Sequence, residues 1–332
     1  MKQLIEDLKN PGALPEKTAE VNVVQTHISV VFVADSFVYK VKKPVNFGFL
    51  DFSTLEKRKH YCHQEVTLNR RLARDLYVDV LPVTRVKGKY TLTEQDGEPV
   101  EYAVKMKRIP DDRLMKALFE AGEITPEHLA EIAKVLSEFH SGARTGSEIA
   151  QYAEPEKFKI NTDENFQQVE GHCGLTISKQ QFRDIQAYTN DSYKTHRDLF
   201  FKRIEGGRIR DCHGDLHMEH VCLMKGLPII DCIEFNERFR YSDAIADIAF
   251  LLMDLEFHGG MNDSRVLWNY YKDLSGEAHV DHLLRFYKVY RAFVRGKVNG
   301  FQIDDPAIGD AEKAEAIRRA QSYFELAHGY IS

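Results

Sequence analysis

Hydrophobic and polar positions change their rhythm along this chain in a way that separates two regions. A short segment with Leu4, Ile5 and Leu8 at helical spacing leads into an arm punctuated by proline and glycine, Asn10–Pro15. From Val21 β-branched and aromatic residues take over. Val21–Thr26, Val30–Ala34 and Phe37–Lys42 read as strands, the last two joined by a tight turn at Asp35-Ser36. Leu55–Leu76 returns to helical spacing, with Glu65, Leu68 and Leu72 on one side. Val78–Val86, Tyr90–Glu94 and Val100–Arg108 complete a small mixed sheet, with Glu94–Gly97 as a hairpin turn. Ile109-Pro110-Asp111-Asp112 breaks the β pattern and marks a boundary. The expected division is therefore 1–108, a β-rich lobe with one helix, and 109–332, a mainly helical lobe: an α+β protein.

Helices are expected in the second region over Leu114–Ala121, Thr125–Ser141, Lys179–Ile204, Ala244–Phe257, Ser264–Leu274, His282–Val298 and Asp310–Ala327. Thr125-Pro126 supplies an N-cap and a proline at the first helical position. Residues 142–178, rich in Gly, Glu and Asn, carry the weakest pattern and read as a variable insertion.

Alternation within Phe37–Lys42 puts Val38, Lys40 and Lys42 on one strand face and Tyr39 and Val41 on the other. Lysines alternating with apolar residues in mid-strand mark either a solvated edge or a cation aimed at an anion. Glu65, on the inner side of the following helix, is either a surface glutamate or the counter-ion of such a lysine.

Composition narrows the class. The 332 residues, with 43% hydrophobic and 29% charged, suit a globular protein with room for two cores. A net charge of −6 argues against a general nucleic-acid binder. No apolar run reaches the length of a membrane span, and the N-terminal residues lack a signal-peptide core. Five scattered cysteines favour reduced thiols and a cytoplasmic location over a disulfide framework.

The densest chemistry lies in Arg210–Cys222, where His213, Gly214, Asp215, His217, Glu219 and His220 cluster, followed by Ile229-Ile230-Asp231. An apolar pair feeding an acid reads as a short strand delivering a carboxylate. A zinc site fits poorly: the cysteine and histidine spacing matches neither a paired Cys-x-x-Cys ribbon nor a His-Glu-x-x-His helix. A purely structural turn explains single residues but not two acids together with inward lysines. Phosphoryl transfer asks for a phosphate anchor, oxygen ligands for a divalent cation, and a carboxylate to orient the acceptor hydroxyl. Lys40, Glu65, Asp215 and Asp231 meet these demands in chain order.

With those residues in place, the chain resembles the aminoglycoside phosphotransferase branch of the protein-kinase-like fold, which is bilobal. The resemblance rests on His213-Gly-Asp-Leu-His217 and Ile230-Asp231. Its closer form, an aminoglycoside-phosphotransferase-like bacterial group, rests on Thr26-His-Ile-Ser29, Val38–Lys42, Phe49–Ser53, Leu68–Leu72 and Asp231–Asn236. It implies ATP and Mg²⁺ as cofactors and a small-molecule hydroxyl as acceptor; the net charge and the absence of a long apolar run leave neither nucleic acid nor membrane as an expected partner. Asp215 would be the catalytic base and Asp231 a metal ligand. Lys40 would hold the nucleotide phosphates with Glu65 as its ion pair, Lys42 being the alternative. The turn around Thr26–Ser29 has no glycine and would lie over the phosphates, with Ser29 or a backbone amide serving, and Met106, Lys107 and Arg108 would line the adenine hinge. Asp247 would brace the catalytic loop.

One position departs from the family pattern. His220 stands where a metal-binding asparagine is usual, and imidazole suits Mg²⁺ less well than an amide oxygen. That implies metal binding by Asp231 alone, a shift toward Mn²⁺, or a weakened protein that only binds nucleotide. The acids Glu237, Asp254, Glu256 and Asp263 are candidates for an acceptor site. Close relatives in that group often carry an added P-loop domain. No Gly-x-x-x-x-Gly-Lys-Ser/Thr pattern occurs here, so that second activity is not expected.

Overall fold

The computed structural model describes residues 1–94, 96–304 and 308–332. Gln95 lies outside them, and with it part of the expected turn Glu94–Gly97. The described residues form two compact units: Met1–Glu123 with Glu219–Glu237, and Ile124–Met218 with Arg238–Ser332. The segment Glu219–Glu237, assigned from its sequence to the helical region, thus makes its contacts with the β-rich one.

The first unit is built on a six-stranded sheet in the order β1-β2-β3-β6-β4-β5. Its strands are β1 (Asn22–Gln25), β2 (Ser29–Val33), β3 (Phe37–Lys42), β4 (Tyr77–Val86), β5 (Lys89–Thr91) and β6 (Glu101–Lys107). Every pairing is antiparallel, so the mixed sheet expected from the sequence is not formed. The physical reason is the place of β6, which inserts between β3 and β4. Those two strands run the same way and need the intervening helix as a crossover, but they never pair.

The alternation of β3 sorts its side chains. Tyr39 and Val41 enter one core with Leu4, Leu8, Val30, Phe32 and Val83. Val38 faces the opposite core, with Cys62 and Val66 of the Leu55–Asn69 helix and Val104 and Met106 of β6. That helix is capped by Thr54, whose hydroxyl accepts the Lys57 N–H. It stops at Asn69, seven residues before the expected end at Leu76, where the chain tightens into i→i−3 turns, the Arg71 and Leu72 amides donating to the Leu68 and Asn69 carbonyls.

In the second unit the Ala244–Phe257 helix is buried on all sides from Ala244 to Leu255 and is the core element. Its boundaries match the expectation. Helices Asp281–Phe301 and Asp310–Gly329 pack with it around Phe250, Met253, Phe293 and Phe324. Residues 142–178 are not a patternless insertion. Pro155–Glu170 is a helix burying Phe158, Thr162, Phe166 and Val169. Buried Asn161 and Asn165 on the same helix dilute its apolar periodicity, which is why the sequence hides it. The stretch Lys179–Ile204, expected as one helix, is two, Lys179–Thr195 and Arg197–Glu205, broken at His196. Among the described residues no helix is long and apolar enough to cross a membrane.

Candidate active site

In the first unit the inner face of β3 becomes a charge cluster. Lys40 Nζ lies 2.6 Å from Asp231 Oδ1 and 3.0 Å from Glu65 Oε1. Lys42 Nζ lies 2.6 Å from Glu65 Oε2 and also pairs with Glu234. Glu65 therefore bridges two lysines and is the counter-ion, not a surface residue; it is fully buried. The two lysines differ in access. Lys42 is 1% exposed and packs over Phe52, whereas the Lys40 side chain is 15% exposed and faces Asp231, itself 42% exposed. Burial works against the charge on Lys40, but Asp231, Glu65 and Glu234 outweigh it and hold its pKa well above the usual lysine range. Burial pushes Glu234 up, while the lysines hold Glu65 below the ordinary glutamate value against its own burial.

Asp231 is delivered by a network and not by a strand. Val221 and Ile229 form only an isolated bridge, and the Ile230 N–H donates to the His220 carbonyl at 2.9 Å. The Asp231 N–H donates to the Tyr77 hydroxyl at 3.1 Å, and the Cys232 N–H donates to Asn69 Oδ1 at 2.9 Å. Asn69 in turn donates to the Glu65 carbonyl, tying the helix to the acidic segment. Asp231 sits at φ 61°, a left-handed conformation that costs a non-glycine residue about 1 kcal/mol and persists where its surroundings impose it. Tyr77 and Asn69 were not singled out from the sequence, although Asn69 lies within the quoted Leu68–Leu72 pattern.

His220 Nε2 stands 3.7 Å from Asp231 Oδ2. Adjacent ligands of an octahedral Mg²⁺ lie about 3 Å apart, so a small closure would let both reach one ion. A carboxylate, an imidazole and room for water fit a divalent cation, with the nitrogen donor favouring Mn²⁺ over Mg²⁺. Glu219 turns away to Lys116, 2.5 Å distant.

Other expected positions fare differently. Ser29 is fully buried, opposite Lys42 in the β2–β3 register, and its hydroxyl has no hydrogen-bond partner among the described residues. The Ile28 and Ser29 amides turn inward to the Thr26 hydroxyl. Ser29 as placed cannot present its hydroxyl to a phosphate. Along the hinge stretch Met106 is buried beside Tyr77 and Ile230, while Lys107 and Arg108 are exposed. Their amides already donate to the Leu76 and Ser36 carbonyls, so neither N–H is open to a ligand.

In the second unit the loop from His213 to His217 hangs on one buried acid. Asp247 accepts the His213 N–H at 2.6 Å and the Gly214 N–H at 2.8 Å. Burial disfavours its charge, yet His140, His213 and Arg291 hold its pKa down to about 2. Arg291 Nη1 donates to the Gly214 carbonyl at 2.8 Å, clamping the same peptide from the other side. Gly214 sits at φ 88°, a conformation glycine adopts without strain. The following Asp215 donates its N–H to His213 Nδ1 and lies 3.6 Å from His217 Nε2, with its side chain 35% exposed. His213 is thus a loop support. Asp254 accepts the Met218 N–H at 3.0 Å and closes the loop; Glu256 bonds Lys288 and Ser264. These contacts occupy two of the acids considered for an acceptor site.

A lysine sandwiched by carboxylates and an acid-braced His-Gly-Asp loop coincide with a known family pattern. Residues 37–283 match the model of the phosphotransferase enzyme family. The chain belongs to this family. An uncharacterized protein of Mycobacterium tuberculosis (strain ATCC 25618 / H37Rv) is 34% identical over 279 residues, covering 84% of this chain and 54% of that protein. The chain therefore spans about half the length of the curated relatives it matches. Among solved structures, a choline/ethanolamine kinase family protein from Mesorhizobium loti superposes with a TM-score of 0.52 at 14% identity, covering 95% of this chain and 92% of that one. The choline kinase of Streptococcus pneumoniae gives 0.50 at 14% identity, covering 93% and 94%. At such identities the likeness is one of fold, and the fold is protein-kinase-like.

Proposed function

We propose that this phosphotransferase-family protein is an ATP- and divalent-metal-dependent kinase that transfers the γ-phosphoryl group to a hydroxyl of a small molecule. The observation that carries the reading is the Glu65–Lys40–Asp231 arrangement. It holds a charged lysine, partly open to solvent, directly against a carboxylate that could bind a cation. A phosphate arriving with its metal would exchange partners with this pair: Lys40 moves from Asp231 to phosphate oxygens, and Asp231 becomes a metal ligand together with His220. The bound cation supplies charge neutralisation between the phosphates. Glu65 keeps Lys40 protonated and aimed throughout, and Lys42 with Glu234 keeps Glu65 in place. Asp215, held by the Asp247-anchored loop, orients the acceptor hydroxyl and takes its proton.

The test is ADP formation with Mg²⁺ or Mn²⁺ across a panel of small hydroxyl acceptors, with Asp215→Ala and His220→Asn beside the wild type. Asp215→Ala should lose at least 100-fold in turnover, on the order expected for a general base, while nucleotide binding stays within a few-fold. Unchanged turnover in that variant sinks the assignment of the base. His220→Asn should raise the Mg²⁺ rate relative to the Mn²⁺ rate. An unaltered metal preference means that residue 220 does not touch the ion.

A further inference from the structure

The second unit contains a cavity of about 450 Å³ that the phosphotransferase residues do not use. It lies between the Pro126–Gly142 and Met261–Ser275 helices, and its wall includes His140, Tyr271, Arg208, Arg210 and Lys134. The size is that of a site for a small organic molecule, since such sites run from about 300 to 1,000 Å³.

Its electrostatics select the guest. Two acids, Glu138 and Glu277, face three cations. Glu277 is already saturated: Arg203 binds it through both terminal nitrogens, and Arg208 lies 3.4 Å away. Arg210 is held by the Ala143 carbonyl at 3.0 Å and not by a carboxylate. Neither Lys134 nor Arg210 has an ion-pair partner among the described residues. Arg203 is shared with Asp243, so Lys134, Arg203, Arg208 and Arg210 stand against Glu138, Asp243 and Glu277, and one net positive charge remains beside hydroxyls of Ser137, Ser141 and Ser275, the setting for a phosphate group on a polar body.

The inner wall gives the cavity a route to the loop. His140 is 4% exposed and Tyr271 fully buried. His140 Nδ1 lies 2.8 Å from the Tyr271 hydroxyl, and its Nε2 lies 3.3 Å from Asp247 Oδ2. That same oxygen accepts the His213 N–H. One imidazole therefore lines the cavity and props the carboxylate from which the His-Gly-Asp loop hangs.

We propose that this cavity is a second ligand site, specific for a small phosphate-bearing metabolite, whose occupancy steadies the His213–Asp215 loop through His140 and Asp247. The significance of the coupling rests on the phosphotransferase reading, but the binding does not, and neither is measured through turnover. The probe is inorganic pyrophosphate, titrated into wild type, Lys40→Met, and the Lys134→Ala/Arg210→Ala double variant. Thermal unfolding and amide hydrogen exchange over residues 209–217 are read together. Wild type and Lys40→Met should both gain about 2 °C in Tm at tenfold excess over Kd, with slower exchange at His213 and Gly214. The double variant should lose at least tenfold in affinity. Lys134→Glu, at an exposed position, repeats the test without touching the fold. A shift lost in Lys40→Met but kept in the double variant would place the probe at the β3 lysines and overturn the site. So would no shift in any protein. Binding with unaltered exchange overturns the coupling.

Discussion

The two lysines of β3 give the most discriminating prediction. Both alternate onto the same strand face, yet they differ in burial and partners, and on the proposed function they have opposite duties. Lys42 is sealed between Glu65 and Glu234, so Lys42→Met leaves two buried carboxylates facing each other with one lysine between them. Breaking a buried ion pair in this way costs about 3–5 kcal/mol. Lys40 pairs with the half-exposed Asp231, where solvent screens the interaction, and with buried Glu65, which keeps Lys42 as a second partner; Lys40→Met should therefore cost less, about 1–2 kcal/mol. The functional order reverses. On the proposed function Lys40→Met would remove charge-assisted hydrogen bonds to phosphate, about 1.5–3 kcal/mol, equal to roughly 10- to 150-fold in nucleotide affinity. Urea unfolding and nucleotide titration of the two variants provide the measurements. Glu234→Gln added to Lys42→Met should restore part of the lost stability, because the uncompensated charge is then gone. The reasoning fails if Lys42→Met unfolds within 1 kcal/mol of wild type while losing nucleotide binding, since Lys42 would then be the phosphate anchor.

Asp247 provides a pH test. Its pKa falls from 3.8 to about 2 on folding. A depressed carboxylate stabilises the fold above its unfolded pKa and loses that contribution as pH drops through the folded value. Wild type should therefore shed roughly 2 kcal/mol between about pH 4 and pH 2 from this group, and urea unfolding of Asp247→Asn should lack that component; parallel pH profiles would contradict it. At neutral pH Asp247→Asn should cost about 2–4 kcal/mol, because one amide oxygen cannot serve both loop N–H groups. A Cβ on Gly296 would stand 2.8 Å from the ring of Phe324. Gly296→Ala should lower stability by about 1–3 kcal/mol through overpacking, visible as a lower Tm, whereas an unchanged Tm means the Asp310–Gly329 helix yields freely.

What the sequence revealed depended on how local the determinant was. β3 and the Ala244–Phe257 helix have the expected boundaries because β3 alternates without a break and the helix is a long, nearly continuous apolar run with an N-cap at Asp243. The juxtaposition of Lys40, Glu65 and Asp231 could be named from alternation, helix phase and the motif pattern together. The choice between Lys40 and Lys42 could not, since it rests on how deeply each side chain is covered. The burial of Ser29 is hidden for the same reason: a hydroxyl at the first strand position after a turn gives no sign that its strand face is covered. The Ile229-Ile230 pair looks like a strand, but it makes a single bridge to Val221 and a bond to the His220 carbonyl, and the Asp231 and Cys232 amides that follow are held by side chains of Tyr77 and Asn69 far away in the chain. The helix at Pro155–Glu170 was invisible because tertiary contacts, not periodicity, bury its asparagines.

The division of the chain between the units has a consequence for synthesis. When residue 123 has left the ribosome, all six strands of the first unit exist, yet the segment Glu219–Glu237 that completes it does not. Until the whole of Ile124–Met218 has followed, Lys40 lacks Asp231 and Lys42 lacks Glu234, and the apolar wall around Met106 and Tyr77 lacks Ile230. A nascent sheet in that state carries two lysines against a single glutamate. Its assembly must wait for a stretch made nearly a hundred residues later. At a few to tens of residues per second, this is an interval of several seconds to about twenty. Over that time the incomplete unit is the natural target of chaperones and proteases.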